Sequence, residues 1–160
     1  IMAAKQAAEA YEDANVVVMN TKSLAECYSA LTMLDYSSDN LDEITDNFQM
    51  VIDNVVDGSI TYAIRDSQID EINIKKDDYM SFINGKIVAS NSSKIEAVKA
   101  LFNNVEDIED KEVITLIYGK DVTDEEKNQV IQFLSTSFPS IEVGGIDGLQ
   151  DIYSFIISIE

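Results

Sequence analysis

Residues 59–90, SITYAIRDSQIDEINIKKDDYMSFINGKIVAS, set the strongest limit on what this chain can fold into. Ile60, Tyr62 and Ile64 alternate with Thr61, Ala63, Arg65 and Ser67. That period of two puts three apolar side chains on one face of a strand and the polar set on the other. After Asp70 the pattern predicts a short strand, a turn at 76–78, and two β-rich runs joined by Asn84-Gly85. Asn-Gly accepts the positive φ angles of a two-residue hairpin turn. The stretch therefore predicts the middle of a sheet. Segments with helical spacing lie on both sides, which places the chain in the α/β class.

The N-terminal part adds helices and one buried-type strand. Residues 1–13, IMAAKQAAEAYED, read as helix, with alanine recurring and no breaker. The chain thus opens inside a helix without a cap, and an α/β domain would place a strand just before it, lost by truncation. Residues 15–20, NVVVMN, form a short continuous apolar run, the pattern of a strand buried on both faces. A helix over 24–34 follows, with Ser23 and Glu26 at capping-box spacing and Leu24, Cys27, Tyr28 and Leu31 on one face. After the turn 37–40, a helix over 41–56 carries Leu41, Ile44, Phe48, Val51, Ile52 and Val55, with Gly58 placed as its C-terminal cap.

Beyond the central stretch the pattern continues as helix, strand, helix and two strands. Ser93 and Glu96 open a helix that puts Ile95, Val98, Leu101, Phe102 and Val105 on one side. Residues 106–111 are an acidic loop, and 112–118, EVITLIY, are strongly β-forming. Thr123 and Glu126 open a helix with Val130, Phe133, Leu134 and Phe138, stopped at Pro139. A short strand at 140–143, an irregular loop at the glycines 144, 145 and 148, and a closing strand at 152–159 complete the order. No linker divides the chain, so it reads as one domain, 1–160. A soft internal boundary near residue 58 separates a partial parallel α/β layer from a second α/β lobe.

Composition narrows the chemistry. Thirty acids against eleven bases give a net charge of −19, which repels phosphate backbones and anionic membranes and argues against nucleic acid as a partner. There is no histidine and one cysteine, Cys27. Histidine-dependent nucleophiles, histidine metal sites, structural zinc and an internal disulfide are all excluded. Cys27 reads as a small buried apolar group. No apolar run approaches the ~20 residues of a membrane span, and no signal peptide is visible, so a cytoplasmic location is expected. The acids of the helix over 41–56 lack the spacing of a calcium loop.

Few residues invite a functional reading. Arg65, the only arginine, heads the triplet Arg65-Asp66-Ser67. It would stabilise charge on a phosphoryl group or, more simply, pair with Asp66 or another acid on the sheet. Thr21 and Ser23 lie in the turn between the strand at 15–20 and the next helix. Open α/β sheets bind ligands in such turns, although plain helix capping by Ser23 explains it equally. Tyr118 ends a strand and reads as a core or interface aromatic. No catalytic residue, cofactor site or metal site is expected.

Five segments carry a family resemblance. AAKQAAE, VVVMNTKSLAECYSAL, the run from residue 58 to 90, VITLIYGKDVTDEE and the terminal YSFIISIE, in this order, resemble the C-terminal domain of the ATP-binding, dihydroxyacetone-kinase-like subunit of bacterial fatty acid kinase. The resemblance implies a DegV-like fold, like that of the fatty-acid-binding subunit: helices sandwiching a mixed sheet. It implies a larger, homodimeric Gram-positive enzyme whose N-terminal domain holds ATP and magnesium. A separate fatty-acid-binding subunit presents an acyl chain for phosphorylation to acyl phosphate, supplying phospholipid synthesis. This chain would be its non-catalytic docking or assembly domain, with Arg65, Asp66, Ser67, Thr21, Ser23 and Tyr118 as candidate contacts. A lipid or small-molecule binding module of the same fold is the alternative.

Overall fold

The computed structural model describes residues 1–11, 14–35 and 37–160. They form two compact units, Ile1–Asn54 and Val55–Glu160.

The first unit is helical. Its helices are α1 (Met2–Glu9), α2 (Leu24–Thr32) and α3 (Leu41–Asn54). Ser23 caps α2 by accepting the Glu26 amide at 3.1 Å, and α2 packs against α3. Two expectations fail here. Residues 15–20 form no strand, and Val16 and Val17 are exposed. A strand exists only when its N–H and C=O groups meet a neighbour's, and residues 1–54 contain no second β-forming run. The buried face of α2 is also not the one its large residues predict. Ala25, Ser29 and Ala30 are buried, while Leu24 and Leu31 are exposed. Small side chains allow a closer approach than the leucine face does.

The second unit is built on a mixed six-stranded sheet in the order β5-β4-β1-β8-β6-β7. The strands are β1 (Val56–Tyr62), β4 (Tyr79–Ile83), β5 (Lys86–Asn91), β6 (Val113–Tyr118), β7 (Glu142–Asp147) and β8 (Tyr153–Ile159). A separate two-stranded ribbon, β2 (Ser67–Ile69) and β3 (Ile72–Ile74), follows β1. Only β6 and β7 run parallel, joined through α5 (Asp124–Ser137); every other pair is antiparallel. The expected α/β sandwich of helices on a mixed sheet is therefore present, with its closing strand β8 set between β1 and β6.

Helices α4 (Lys94–Phe102) and α5 share a core with the sheet. Ile60, Leu116, Phe155 and Ile157 meet Val98, Leu101, Phe102, Val130 and Leu134 there. Each of these is at most 2 % exposed. Burying a side chain of this size contributes about 1.5–3 kcal/mol. Ser81 crosses from β4 to donate its hydroxyl to the Ala97 carbonyl of α4 at 2.8 Å. Both helices begin with the serine or threonine caps that their sequences predict, and Thr123 and Glu126 complete a reciprocal capping box.

Three local expectations are corrected. Gly58 is not a helix cap but the third residue of β1, because the strand starts at Val56. The glycines at 144 and 145 are not in a loop: β7 runs straight through them to Asp147. The alternation from Ile60 to Ile64 does not continue as strand, since β1 ends at Tyr62 and Ile64 is 74 % exposed. The Asn84-Gly85 hairpin is present, with both residues at positive φ (49° and 75°) as a type I′ turn requires.

Candidate functional site

One end of the six-stranded sheet gathers the loops. β1 ends at Tyr62 and β6 at Tyr118, while the antiparallel β4 and β8 begin at Tyr79 and Tyr153. Registers fix the neighbours: Tyr62 opposite Tyr79, Thr61 opposite Tyr153, and Tyr118 opposite both Phe155 and Asp147. Thr61 Oγ1 also donates to the Ile152 carbonyl at 2.7 Å. Four tyrosines and the β7–β8 loop therefore share this end.

Its outer part is apolar and open. Ile64 is 74 %, Ile152 64 % and Leu149 59 % exposed, and Tyr62 and Tyr153 are also exposed. Leu149 has φ 56°, in the left-handed region that a bulky side chain rarely adopts. Its amide donates to the Tyr118 carbonyl at 2.9 Å, and Gly148 donates to the same oxygen at 3.0 Å, which holds the loop in place. Exposed apolar residues gathered at a loop end mark interaction surfaces more often than isolated ones do.

Arg65 stands beside this surface in the bend after β1, not within the sheet. It is exposed and has no acidic partner within 4 Å among the described residues, so the expected ion pair with Asp66 or another acid of the sheet is not formed. Asp66 is committed elsewhere: its Oδ1 accepts the Lys76 amide at 2.7 Å. Ser67 pairs with Ile74 in the small ribbon. The triplet thus splits into a free guanidinium, a loop clasp and a strand residue.

Behind the open part lies a buried polar network that sequence reasoning missed. Lys94, the first residue of α4, is 8 % exposed. Its Nζ lies 3.2 Å from Asp121 Oδ2 and 3.1 Å from Glu126 Oε2, and it also donates to the Asp121 carbonyl. The ammonium sits 5.7 Å from the centre of the Tyr79 ring. Ser154 Oγ donates to Asp121 Oδ2 at 2.7 Å. Burial alone would lower the Lys94 pKa; the hydrogen bonds to Glu126 and Asp121, and their charges, outweigh it and raise the value. The signal available in the sequence was one lysine directly after a serine cap, which does not reveal partners 27 and 32 residues away.

Tyr118 is buried at the end of β6, 4 % exposed, with its ring edge-on to Phe155 at 6.1 Å. Its hydroxyl has no hydrogen-bond partner among the described residues, and burial raises its pKa. Lys127 lies 5.3 Å from the ring centre and bridges Asp147 at 2.7 Å and Asp124 at 3.0 Å. The hydrogen bond to Asp147, then that to Asp124, raises the Lys127 pKa. Gly145 is the residue that makes room for Tyr118, because a Cβ there would collide with the phenol.

Thr21 and Ser23 belong to the first unit, whereas Arg65, Asp66, Ser67 and Tyr118 belong to the second. Ser23 is occupied as the α2 cap, and Thr21 and Cys27 are half-buried. Among the described residues, no group of three or more acids or cysteines stands close enough to hold a metal ion. No helix among them is long and apolar enough to cross a membrane.

A mixed sheet sharing a core with two helices, with an apolar, tyrosine-lined loop end, defines an α/β domain. The family model for the C-terminal domain of FakA-like fatty acid kinase subunits matches residues 1–160, and the chain belongs to that family. It is 38 % identical over 160 residues to an uncharacterized protein of Staphylococcus epidermidis strain RP62A, covering 28 % of that protein. It is equally 38 % identical to an uncharacterized protein of Staphylococcus aureus strain USA300, covering 29 % of it. The chain therefore spans less than a third of the curated relatives it matches.

Proposed function

We propose that this domain is the non-catalytic part of a fatty acid kinase that docks the fatty-acid-binding subunit, through the loop end of its sheet. Membership of the FakA-like C-terminal family supports the kinase setting. One observation carries the docking surface: a free arginine beside exposed Tyr62, Ile64, Ile152 and Tyr153. Arginine and tyrosine dominate the energetics of protein interfaces, since both combine a broad apolar body with a polar end. An unpaired guanidinium on an otherwise acidic body offers one place to receive a partner carboxylate.

In this reading the chemistry belongs to an N-terminal domain that holds ATP and magnesium, and the acyl carboxylate is delivered by the partner. A chain with no histidine, one cysteine and one arginine is poorly equipped for phosphoryl transfer by itself. Assembly as a homodimer and a cytoplasmic location complete the proposal.

The test is titration calorimetry of the full-length kinase subunit with the fatty-acid-binding subunit. Arg65→Ala and Ile64→Glu should each weaken binding by about tenfold or more, with unchanged circular dichroism. Lys86→Ala, in the Asn84-Gly85 hairpin away from this end, should bind normally. Unchanged affinity in both surface variants would overturn this face as the docking site.

A further inference from the structure

We infer that the outer edge of β7 is a strand-addition site for an extended protein segment flanked by lysine or arginine. The inference rests on sheet topology and does not depend on the docking face proposed above.

Among the described residues, β7 has β6 as its one sheet neighbour. The two pair in parallel over six consecutive residues without a register shift. The Glu142 amide donates to the Glu112 carbonyl at 2.8 Å, and the Gly148 amide to the Tyr118 carbonyl at 3.0 Å. A parallel ladder bonds alternate residues to one neighbour. Glu142, Gly144 and Ile146 therefore turn their peptide groups toward β6. Val143, Gly145 and Asp147 turn theirs outward.

Natural sheets blunt an open edge with proline, lysine, a bulge or a covering element. The opposite edge follows that rule: β3 lies against β5, with Ile74 and Ile87 buried in a small cluster beside Ala63. Among the described residues, β7, with the sequence EVGGID, has no proline, lysine, bulge or covering strand; its only charges are the acids at its two ends, which repel an acidic strand and admit a basic one. Its residues are exposed except for half-buried Val143. The glycine pair separates into two cases. Gly145 makes room for Tyr118, whereas a Cβ at Gly144 would meet nothing within 4 Å. Among the described residues, no contact requires position 144 to lack a side chain, and its absence leaves the backbone bare where another strand would approach.

Charge selects the occupant. Exposed Glu142 and Glu112 stand at one end of the edge; at the other, Asp147 and Asp124 share the single ammonium of Lys127 and keep a net negative charge. A second copy would bring the same acids and another net charge of −19. A segment with basic residues at both ends meets both acidic ends while its backbone completes the ladder.

The probe is a synthetic ten-residue peptide, three Thr-Val pairs between two lysines on each side, added at about millimolar concentration to the full-length kinase subunit. Hydrogen exchange resolved to single amides is the readout. The amides of Val143, Gly145 and Asp147 should slow by about tenfold, and those of Gly144 and Ile146 should change little. N-methylating one alternating set of peptide nitrogens should abolish the effect, and methylating the other set should preserve it. Replacing the lysines with glutamates should remove it. Four results would overturn the inference: unchanged exchange, equal protection by the glutamate peptide, indifference to both methylation patterns, or concentration-dependent protection without any peptide, which would make a second copy the occupant.

Discussion

A buried ammonium is tolerated only when its three protons find acceptors. Lys94 has the Asp121 carbonyl, Asp121 Oδ2 and Glu126 Oε2, and a tyrosine face beside it. Replacing it with methionine keeps the stem and leaves two carboxylates facing apolar volume. Those carboxylates stay partly in water, 43 % and 32 % exposed, so the loss is smaller than for a fully buried pair. Lys94→Met should cost about 1–3 kcal/mol in denaturant unfolding. The folded-state pKa is raised, so this stabilisation is complete below the ordinary lysine value of 10.5 and is lost as pH rises through the raised value. Thermal midpoints of the natural protein should therefore fall more steeply above pH 10.5 than those of Lys94→Met. Equal stability and parallel pH curves would refute the role given to Lys94. Lys94 was invisible in the sequence for a plain reason. The Ser93 and Glu96 caps are local and legible, whereas the ion pairs exist only after α4 and α5 are brought together.

At the scale of elements, legibility followed the same divide. The Asn84-Gly85 turn and the three helix caps are encoded within four residues, and all appear as expected. The misread elements are those whose state depends on a distant neighbour. Residues 15–20 have strand composition but no partner strand among the described residues of their unit. The glycines of β7 look like loop residues, yet β6 supplies the ladder that keeps them extended. Gly58 looked like a cap and is a packing position. A Cβ there would lie 3.1 Å from Ile157 Cβ and 3.2 Å from Leu101 Cδ1, so its absence lets α4 approach β1 and β8 closely. Valine has the higher strand propensity, but its Cβ and two methyl groups would have to displace a packed leucine. Gly58→Val should lower stability by about 1–3 kcal/mol. An increase in the denaturation midpoint would show that α4 can yield.

The whole molecule carries a net charge of −19 with a pI near 4.1. Exposed pairs such as Lys120 with Asp151 and Lys99 with Glu96 contribute little. Repulsion among the excess acids is the larger electrostatic effect, and it is long-ranged enough for salt to screen. Raising sodium chloride from about 20 to 200 mM should lift the thermal midpoint by about 2–4 °C. A fall would mean that the few ion pairs outweigh the repulsion. Fold class was readable at this scale because alternating helix and strand patterns survive local errors. The candidate docking surface was readable only in part. Arg65 is marked out as the one arginine of the sequence, but Ile152 and Leu149 carry no pattern that marks them as exposed.

The sheet also has an order in time. Val56 pairs with Ile159, and Ile60 with Phe155, so the central junction joins segments about a hundred residues apart. At ribosomal speeds of about 5–20 residues per second, the inner border of β1 waits roughly 5–20 seconds for its mate. During that interval Ile60, and α4 once it has been made, have no β8 to cover them. A nascent chain of this kind depends on the other side of the sheet, the β1–β4–β5 meander with its fast hairpin, to stay collapsed until the last strand is threaded into the gap.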